Sequence, residues 1–221
     1  MSNLGSAVAE LIPLGLVIAL SPFSIIPGIL VLHTPRPRPT SMSFLAGWVL
    51  GIATITAVCA GASDLSKGSE SSSAWTPYVR IAIGIGLIAW GLYRWLTRNR
   101  PAHTPAWMRS LTSIRPGRAF LTGLVLTVVN PKVLFMCVAA GAVIGTTGLS
   151  LAQSSVALTM FIVIAASSVG LPALGYLVAG ERLDEPLNKL KTWMEDNHAA
   201  LIGAILILIG LALLYKGIHA L

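Results

Sequence analysis

Two dipeptides place a polar residue and a proline together inside long apolar runs of this sequence. Ser21-Pro22 interrupts one run, and Asn130-Pro131 interrupts another and is followed directly by Lys132. Proline removes an amide donor and obstructs the carbonyl group one turn back, so helical bonding should weaken near Ile18 and Thr127. In hydrocarbon, the freed backbone groups must bind water, protein or substrate. The two dipeptides are therefore candidates for a binding site.

Lys132 and Glu10 are the ionisable residues that fall within these runs. Lys132 lies about 13 residues, or roughly 20 Å, into its predicted helix, where an ionised lysine costs at least ~2.5 kcal/mol. Glu10 lies roughly 9 Å below the edge of the membrane if the first helix starts at Leu4. We expect the two side chains to form an ion pair or a proton-linked gate. A surface carboxylate at a helix end is the alternative for Glu10.

The composition indicates that the elements carrying these residues cross a membrane. Of the 221 residues, 55% are hydrophobic and only 10% are charged, whereas about a quarter of a soluble protein is charged. A spanning helix needs about 20 apolar residues. Six stretches are long enough, at residues 4–32, 42–62, 78–96, 119–144, 151–178 and 199–215. The sequence predicts an all-α polytopic membrane protein with six transmembrane helices, the first interrupted again at Pro27-Gly28.

Basic residues concentrate in the loops that would share one side of the membrane. They are Arg36, Arg38, Arg94, Arg98, Arg100, Arg109, Arg115, Arg118, Arg182, Lys189 and Lys191. Positively charged loops stay in the cytoplasm, so we predict a multi-pass protein of the inner membrane with both termini outside. Because these residues flank membrane spans rather than cover a folded domain, their expected neighbours are anionic lipids, and no nucleic acid partner is expected.

The order of the spans predicts an internal repeat. Helices four to six repeat helices one to three in the opposite sense, as in the inverted repeats of secondary transporters. We predict one membrane domain, with repeats at 1–98 and 119–221 and a basic cytoplasmic loop at 99–118. The two polar-proline breaks fall in corresponding helices, which indicates a substrate or ion site near the midplane. A pair of structural kinks is the alternative.

Further candidates lie elsewhere in the chain. Pro27, Ser167 and Ser168 are placed on the substrate or ion pathway, although serine hydroxyls also bond back to their own helix. Alternating prolines at 34–39 predict a stiff extended strap, from which Arg36 and Arg38 would contact lipid phosphates. The segment 181–198 predicts a short amphipathic helix on the inner surface, or otherwise a polar loop.

Enzymatic chemistry is not indicated by the remaining reactive residues. The histidines are scattered, without the spacing of a metal site, and no glycine loop for nucleotide phosphates occurs. Cys59 and Cys137 fall in different apolar segments and are interpreted as small buried hydrophobes. We therefore predict a protein that is not an enzyme and that holds no metal and no cofactor.

Several motifs in their order resemble one family. They are Ser21-Pro22-Phe23-Ser24-Ile25-Ile26-Pro27-Gly28, Pro35-Arg36-Pro37-Arg38, Gly47-Trp48-Val49-Leu50-Gly51, Pro116-Gly117-Arg118-Ala119, Asn130-Pro131-Lys132 and Ala165-Ala166-Ser167-Ser168. Nearly the whole chain is similar to the GAP family, the peptidoglycolipid- or sulfolipid-addressing proteins of actinobacteria, within the L-lysine exporter (LysE) superfamily. Ser21-Pro22-Phe23 lacks the glycine that follows this proline in amino-acid exporters, which favours the lipid-addressing branch.

The resemblance implies a transporter or export factor that moves cell-envelope glycolipids, with its site between broken helices one and four. Its expected partners are membrane lipids, a glycolipid substrate, a larger lipid exporter and further copies of the same chain. The alternatives are an amino-acid-like exporter and a non-transporting scaffold for a lipid-export complex. A membrane thiol–disulfide carrier is a further alternative, which would require apposed cysteines.

Overall fold

The computed structural model describes residues 3–65 and 110–197, together with the single helical positions 85, 89 and 207. This part of the chain contains seven α-helices and two short 3-10 helices and has no strand, which confirms the all-α class. The α-helices are α1 (Asn3–Ala19), α2 (Pro22–Leu32), α3 (Pro37–Leu65), α4 (Pro116–Val129), α5 (Pro131–Thr146), α6 (Leu151–Ala179) and α7 (Asp184–Asp196). The predicted spans 78–96 and 199–215 lie outside the described residues, apart from those single positions.

The chain divides into two compact units. Residues 1–68 and 104–191 form one unit, and residues 69–103 and 192–221 form the other. Helices α1 to α6 and the first part of α7 belong to the first unit, which carries the features described below. The prediction of one membrane domain over the whole chain stays a prediction.

Two of the helices cross a membrane's thickness without a break. The stretch Pro37–Ser63 of α3 and the helix Leu151–Ala179 are each long and apolar enough to span. Two further pairs, α1 with α2 and α4 with α5, reach that length only together, and they bend by 53° and 74° at their breaks. The described residues therefore supply two spans, or four if each bent pair is one span.

Glycines bring the backbone of α3 into contact with α4 and α5. A Cβ added at Gly47 would collide with the carbonyl oxygen of Phe120, and one added at Gly141 would stand 2.6 Å from the Cβ of Cys59. Small residues allow such close approach between helices in lipid. Because position 47 faces position 120 and position 59 faces position 141, α3 runs in the same general direction as the bent pair of α4 and α5.

Helix α6 packs against α1, α2 and α3. A Cβ at Gly15 would stand 2.8 Å from Ile164, and one at Gly28 would stand 3.5 Å from Val169, so α1 and α2 run in the direction of α6. The largest fully buried side chains of this core are Trp48, Phe44, Phe161, Leu11, Ile18 and Ile29. Their burial fixes the helices that carry the two breaks.

Arginines mark one end of the bundle. Arg36, Arg38, Arg115 and Arg118 are exposed at the starts of α3 and α4, and we call this the arginine end. The other end, where α3 and α5 finish and α6 begins, is called the opposite end.

Helix α7 lies at the arginine end, where Leu187 joins a buried cluster with Ile29, Leu32 and Tyr176. The helix predicted within 181–198 is thereby confirmed. Leu190 and Trp193 stay exposed on it, and its place on a membrane surface stays a prediction.

Candidate functional site

The first break separates α1 from α2 at Ser21. The amide of Leu20 still donates to the carbonyl of Leu16 at 2.8 Å, but the amide of Ser21 donates to Ile18 at 3.2 Å, one residue short of an α-helical step. Ser21 then takes an extended conformation, with φ −80° and ψ 125°, and Pro22 opens α2. Proline suits this first position because its missing N–H would be unpaired there anyway. The break predicted at Ser21-Pro22 is confirmed.

The interruption predicted at Pro27-Gly28 is wrong. Helix α2 continues through Pro27 to Leu32. Pro27 is the sixth residue of α2, so its ring removes a single helical bond near the start of a short helix. Both Pro27 and Gly28 are buried, and a Cβ added at Gly28 would lie 3.5 Å from Val169 of α6.

The second break separates α4 from α5 at Asn130. Its amide closes α4 by donating to Leu126 at 3.1 Å, and its carbonyl accepts from Leu134 at 3.0 Å. Its side-chain oxygen also accepts from the amide of Lys132 at 3.2 Å. Asn130 therefore ends one helix and caps the next, a role for which asparagine is among the preferred residues. The break predicted at Asn130-Pro131 is confirmed.

The two breaks share one local architecture. Each consists of an extended polar residue, Ser21 or Asn130, followed by a proline at the first position of the next helix. Each leaves terminal carbonyl and amide groups outside helical pairing. Helix α1, which leads into the first break, packs against α5, which leads out of the second.

Lys132 lies at the second break, as the second residue of α5. Its side chain is half-buried, and no carboxylate of the described residues forms an ion pair with it. A cation at this position is opposed by the positive end of the helix dipole. The same arrangement of a helix N-terminus and an ammonium group attracts an anion.

A comparison with known protein families identifies the family of the chain that carries these breaks. The family model described as "Sap, sulfolipid-1-addressing protein" matches residues 11–219. The chain belongs to this family. The matched range includes both breaks and Lys132, and it confirms the resemblance drawn from the motifs. No curated protein and no solved structure matches the chain.

The described residues of this family member do not include an ion pair between Glu10 and Lys132. Within them, the ion pair present joins Lys189 to Glu185 at 2.6 Å on α7. A role for Glu10 in the pathway stays a prediction.

Ser167 and Ser168 of this family member bond back to their own helix. The hydroxyl of Ser167 donates to the carbonyl of Ile164 at 2.7 Å, and that of Ser168 donates to Ala165 at 3.5 Å. This is the alternative that the sequence left open. Because each hydroxyl already donates its hydrogen to a backbone carbonyl group, it can only accept a further hydrogen bond. A role in the pathway would therefore be limited to accepting hydrogen bonds.

The expected extended strap at 34–39 is wrong for its second half. Helix α3 begins at Pro37, so Arg38 lies in its first turn, where prolines are well tolerated. The amide of Thr40 donates a hydrogen bond to the backbone carbonyl of Arg36, and the hydroxyl of Ser41 donates one to the backbone carbonyl of Arg38. Both arginines stay exposed, so their contact with lipid phosphates stays a prediction.

Three buried polar groups on α2 and α3 were missed by the sequence interpretation. The hydroxyls of Ser24 and Thr40 and the indole nitrogen of Trp48 are buried without a hydrogen-bond partner in the described part of the chain. They lie on α2 and α3, which pack together. A buried tryptophan usually finds a partner for its N–H, so Trp48 within an apolar run was a usable signal.

Proposed function

We propose that this protein is an inner-membrane export factor of the secondary-transporter type for an anionic cell-envelope glycolipid, which binds between the two broken spans. The observation that carries the proposal is the shared architecture of the breaks at Ser21 and Asn130, together with the packing of α1 against α5. Broken helices in corresponding halves are where secondary transporters place their sites.

The direction of the helices supports the six-span repeat. Helices α3 and α4 run in the same direction and both begin at the arginine end. A three-plus-three inverted repeat with a span at 78–96 requires this arrangement. With the arginine end in the cytoplasm, both termini lie outside.

The chemistry at the second break supports an anionic headgroup. The ammonium group of Lys132 and the positive end of the α5 helix dipole together suit a sulfate, phosphate or carboxylate. The family's description refers to a sulfolipid, whose sulfate has this charge. The unpartnered hydroxyl of Ser24, three residues beyond the first break, supplies a further polar contact.

The energy for export comes from an ion gradient or from a larger lipid exporter, since the sequence has no phosphate-binding glycine loop. A glycolipid, membrane lipids, the larger exporter and further copies of the chain are the proposed partners. No catalytic step, metal or cofactor enters the proposal.

The test is transbilayer movement of a fluorescent sulfated glycolipid in liposomes that contain the purified protein, followed by chemical quenching from outside. Lys132→Gln should abolish movement, and Lys132→Arg should retain part of it. Lys189→Gln is the matched control, because Lys189 is an exposed lysine of the same chain.

Two results would overturn the proposal. If the wild-type protein moves no sulfated lipid but moves an amino acid, the protein is a small-solute exporter. If it moves neither, yet a lipid exporter still requires it in cells, the protein is a scaffold.

A further inference from the structure

A cleft opens at the opposite end of the bundle, between α3, α5 and α6. It has a volume of about 410 Å³, within the range of small-molecule sites. Its lining includes Ala57 and Gly61 of α3, Gly145 of α5, Leu149 of the following loop, and Ser154 and Leu158 of α6. It is separate from the breaks, because α3 and α5 finish at this end.

The cleft exists because α3 and α5 part after a point of close contact. At Gly141 an added Cβ would stand 2.6 Å from Cys59 and 2.7 Å from the carbonyl oxygen of Thr56. One turn later the walls are small residues, and a Cβ at Gly61 would meet no described atom within 4 Å. Side chains that would fill the space are therefore missing from both walls.

The chemistry of the lining excludes a charged or strongly polar ligand. Among the described residues that line the cleft, none carries a charge, and the polar ones are two serines. The hydroxyl of Ser155 is already bonded to the carbonyl of Leu151 at 2.9 Å. A charged group or a sugar ring would lose its hydration without gaining enough hydrogen bonds. A hydrocarbon chain has no hydrogen bonds to lose on entering the cleft.

The surroundings of the cleft determine which hydrocarbon can enter. Both α3 and α6 have the length and hydropathy of membrane spans, and Val58, next to the lining residue Ala57 in the sequence, is 65% exposed, as expected of a cleft that faces lipid. At the mouth, Ser150 and Gln153 cap α6 reciprocally and place polar groups at headgroup level. Leu158 lies about 10 Å deeper along α6.

We propose that this cleft binds one acyl chain of a membrane lipid, whose headgroup stays at the loop before α6. Recognition is through the chain, so it does not depend on the charge of the headgroup. The site goes beyond the export function proposed above, and it does not require Lys132 or the breaks.

The test uses the full-length protein in nanodiscs that contain phosphatidylcholine with a diazirine in its acyl chain. After irradiation, labelled peptides are mapped by mass spectrometry. Labelling should concentrate on residues 57–61 and 144–158. Gly61→Leu should reduce it severalfold, because the leucine side chain would fill the space that the acyl chain needs. Gly117→Leu is the matched control, because a Cβ at Gly117 also meets no described atom within 4 Å.

Two further arms separate this site from the export proposal and from headgroup binding. Lys132→Gln should leave the labelling unchanged even if it abolishes export. Phosphatidylglycerol with the same diazirine should label the cleft as well as phosphatidylcholine does, and a strong preference for either lipid would contradict recognition through the chain.

The proposal is overturned if cleft peptides are labelled no more than those around Val163 and Val178, which are exposed on α6. It is also overturned if Gly61→Leu has no effect, which would indicate annular lipid only. Absence of label at 57–61 and 144–158 would show that another part of the chain occupies the cleft, and would equally refute an acyl chain there. Unfolding temperatures of both glycine variants establish that each is folded.

Discussion

Substituting Gly47 by alanine tests the contact that holds α3 against α4. The new Cβ would lie 2.9 Å from the carbonyl carbon of Phe120 and 3.1 Å from the amide nitrogen of Leu124, and closer still to the carbonyl oxygen of Phe120. These are backbone atoms of a helix, so they cannot move aside as the end of a flexible side chain can. The two helices must separate for the methyl group to fit.

The expected magnitude follows from two opposing effects. Overpacking in a well-packed interior costs about 1–3 kcal/mol, and the backbone contact at Gly47 places this variant near 3 kcal/mol. Replacing a helical glycine by alanine returns about 1 kcal/mol through propensity. Gly47→Ala should therefore lower the free energy of unfolding by about 2 kcal/mol, or by about 4–8 °C in Tm for a chain of this size.

Gly61→Ala is the matched control on the same helix. An added Cβ there meets no described atom within 4 Å, so only the propensity effect applies and stability should rise by up to about 1 kcal/mol. Both variants are compared by reversible unfolding in mixed micelles. Equal stability of Gly47→Ala and Gly61→Ala would refute the close contact between α3 and α4.

Three further predictions concern the breaks, the thiols and the surface. Asn130→Ala should lower the free energy of unfolding by about 1 kcal/mol because it removes a helix cap, and Asn130→Asp should restore that stability. Ser21→Ala should change the free energy of unfolding by less than about 0.5 kcal/mol, because Ser21 makes no capping bond within the described chain. Unfolding in micelles measures all three variants. Cys59→Ala with Cys137→Ala should leave lipid movement in liposomes unchanged, and its loss would favour thiol–disulfide chemistry. Lys189→Gln should lower stability by no more than about 0.5 kcal/mol, since its exposed ion pair with the preceding turn is worth little; a larger loss by the same unfolding assay would contradict this.

The breaks could be predicted from the sequence because proline acts on its own helix. Ser21-Pro22 and Asn130-Pro131 change bonding within four residues, whatever the helix packs against. The same argument predicted a break at Pro27 and was wrong, because Pro27 lies near the start of a short helix, where its ring removes a single helical bond. Local rules therefore located the two breaks but also predicted one that the structure does not have.

The features that depend on two or more helices could not be predicted in the same way. Whether Glu10 and Lys132 meet depends on how α1 packs against α5. The unpartnered groups of Ser24 and Trp48, and the cleft beside Gly61, result from the way in which helices distant in sequence meet. Neither the hydrophobic periodicity nor a motif of a single segment predicts such contacts between helices.

The glycine contacts of α3 make the two breaks mechanically unequal. Helices α4 and α5 both make close contacts with α3, at Gly47 and at Gly141, so the 74° angle between them is held by packing on both sides of the break. At the first break, α2 meets α6 at Gly28 only through ordinary van der Waals contact. A change of angle therefore costs less at Ser21 than at Asn130, so in the proposed export cycle Ser21 would be the hinge and Asn130 the fixed point.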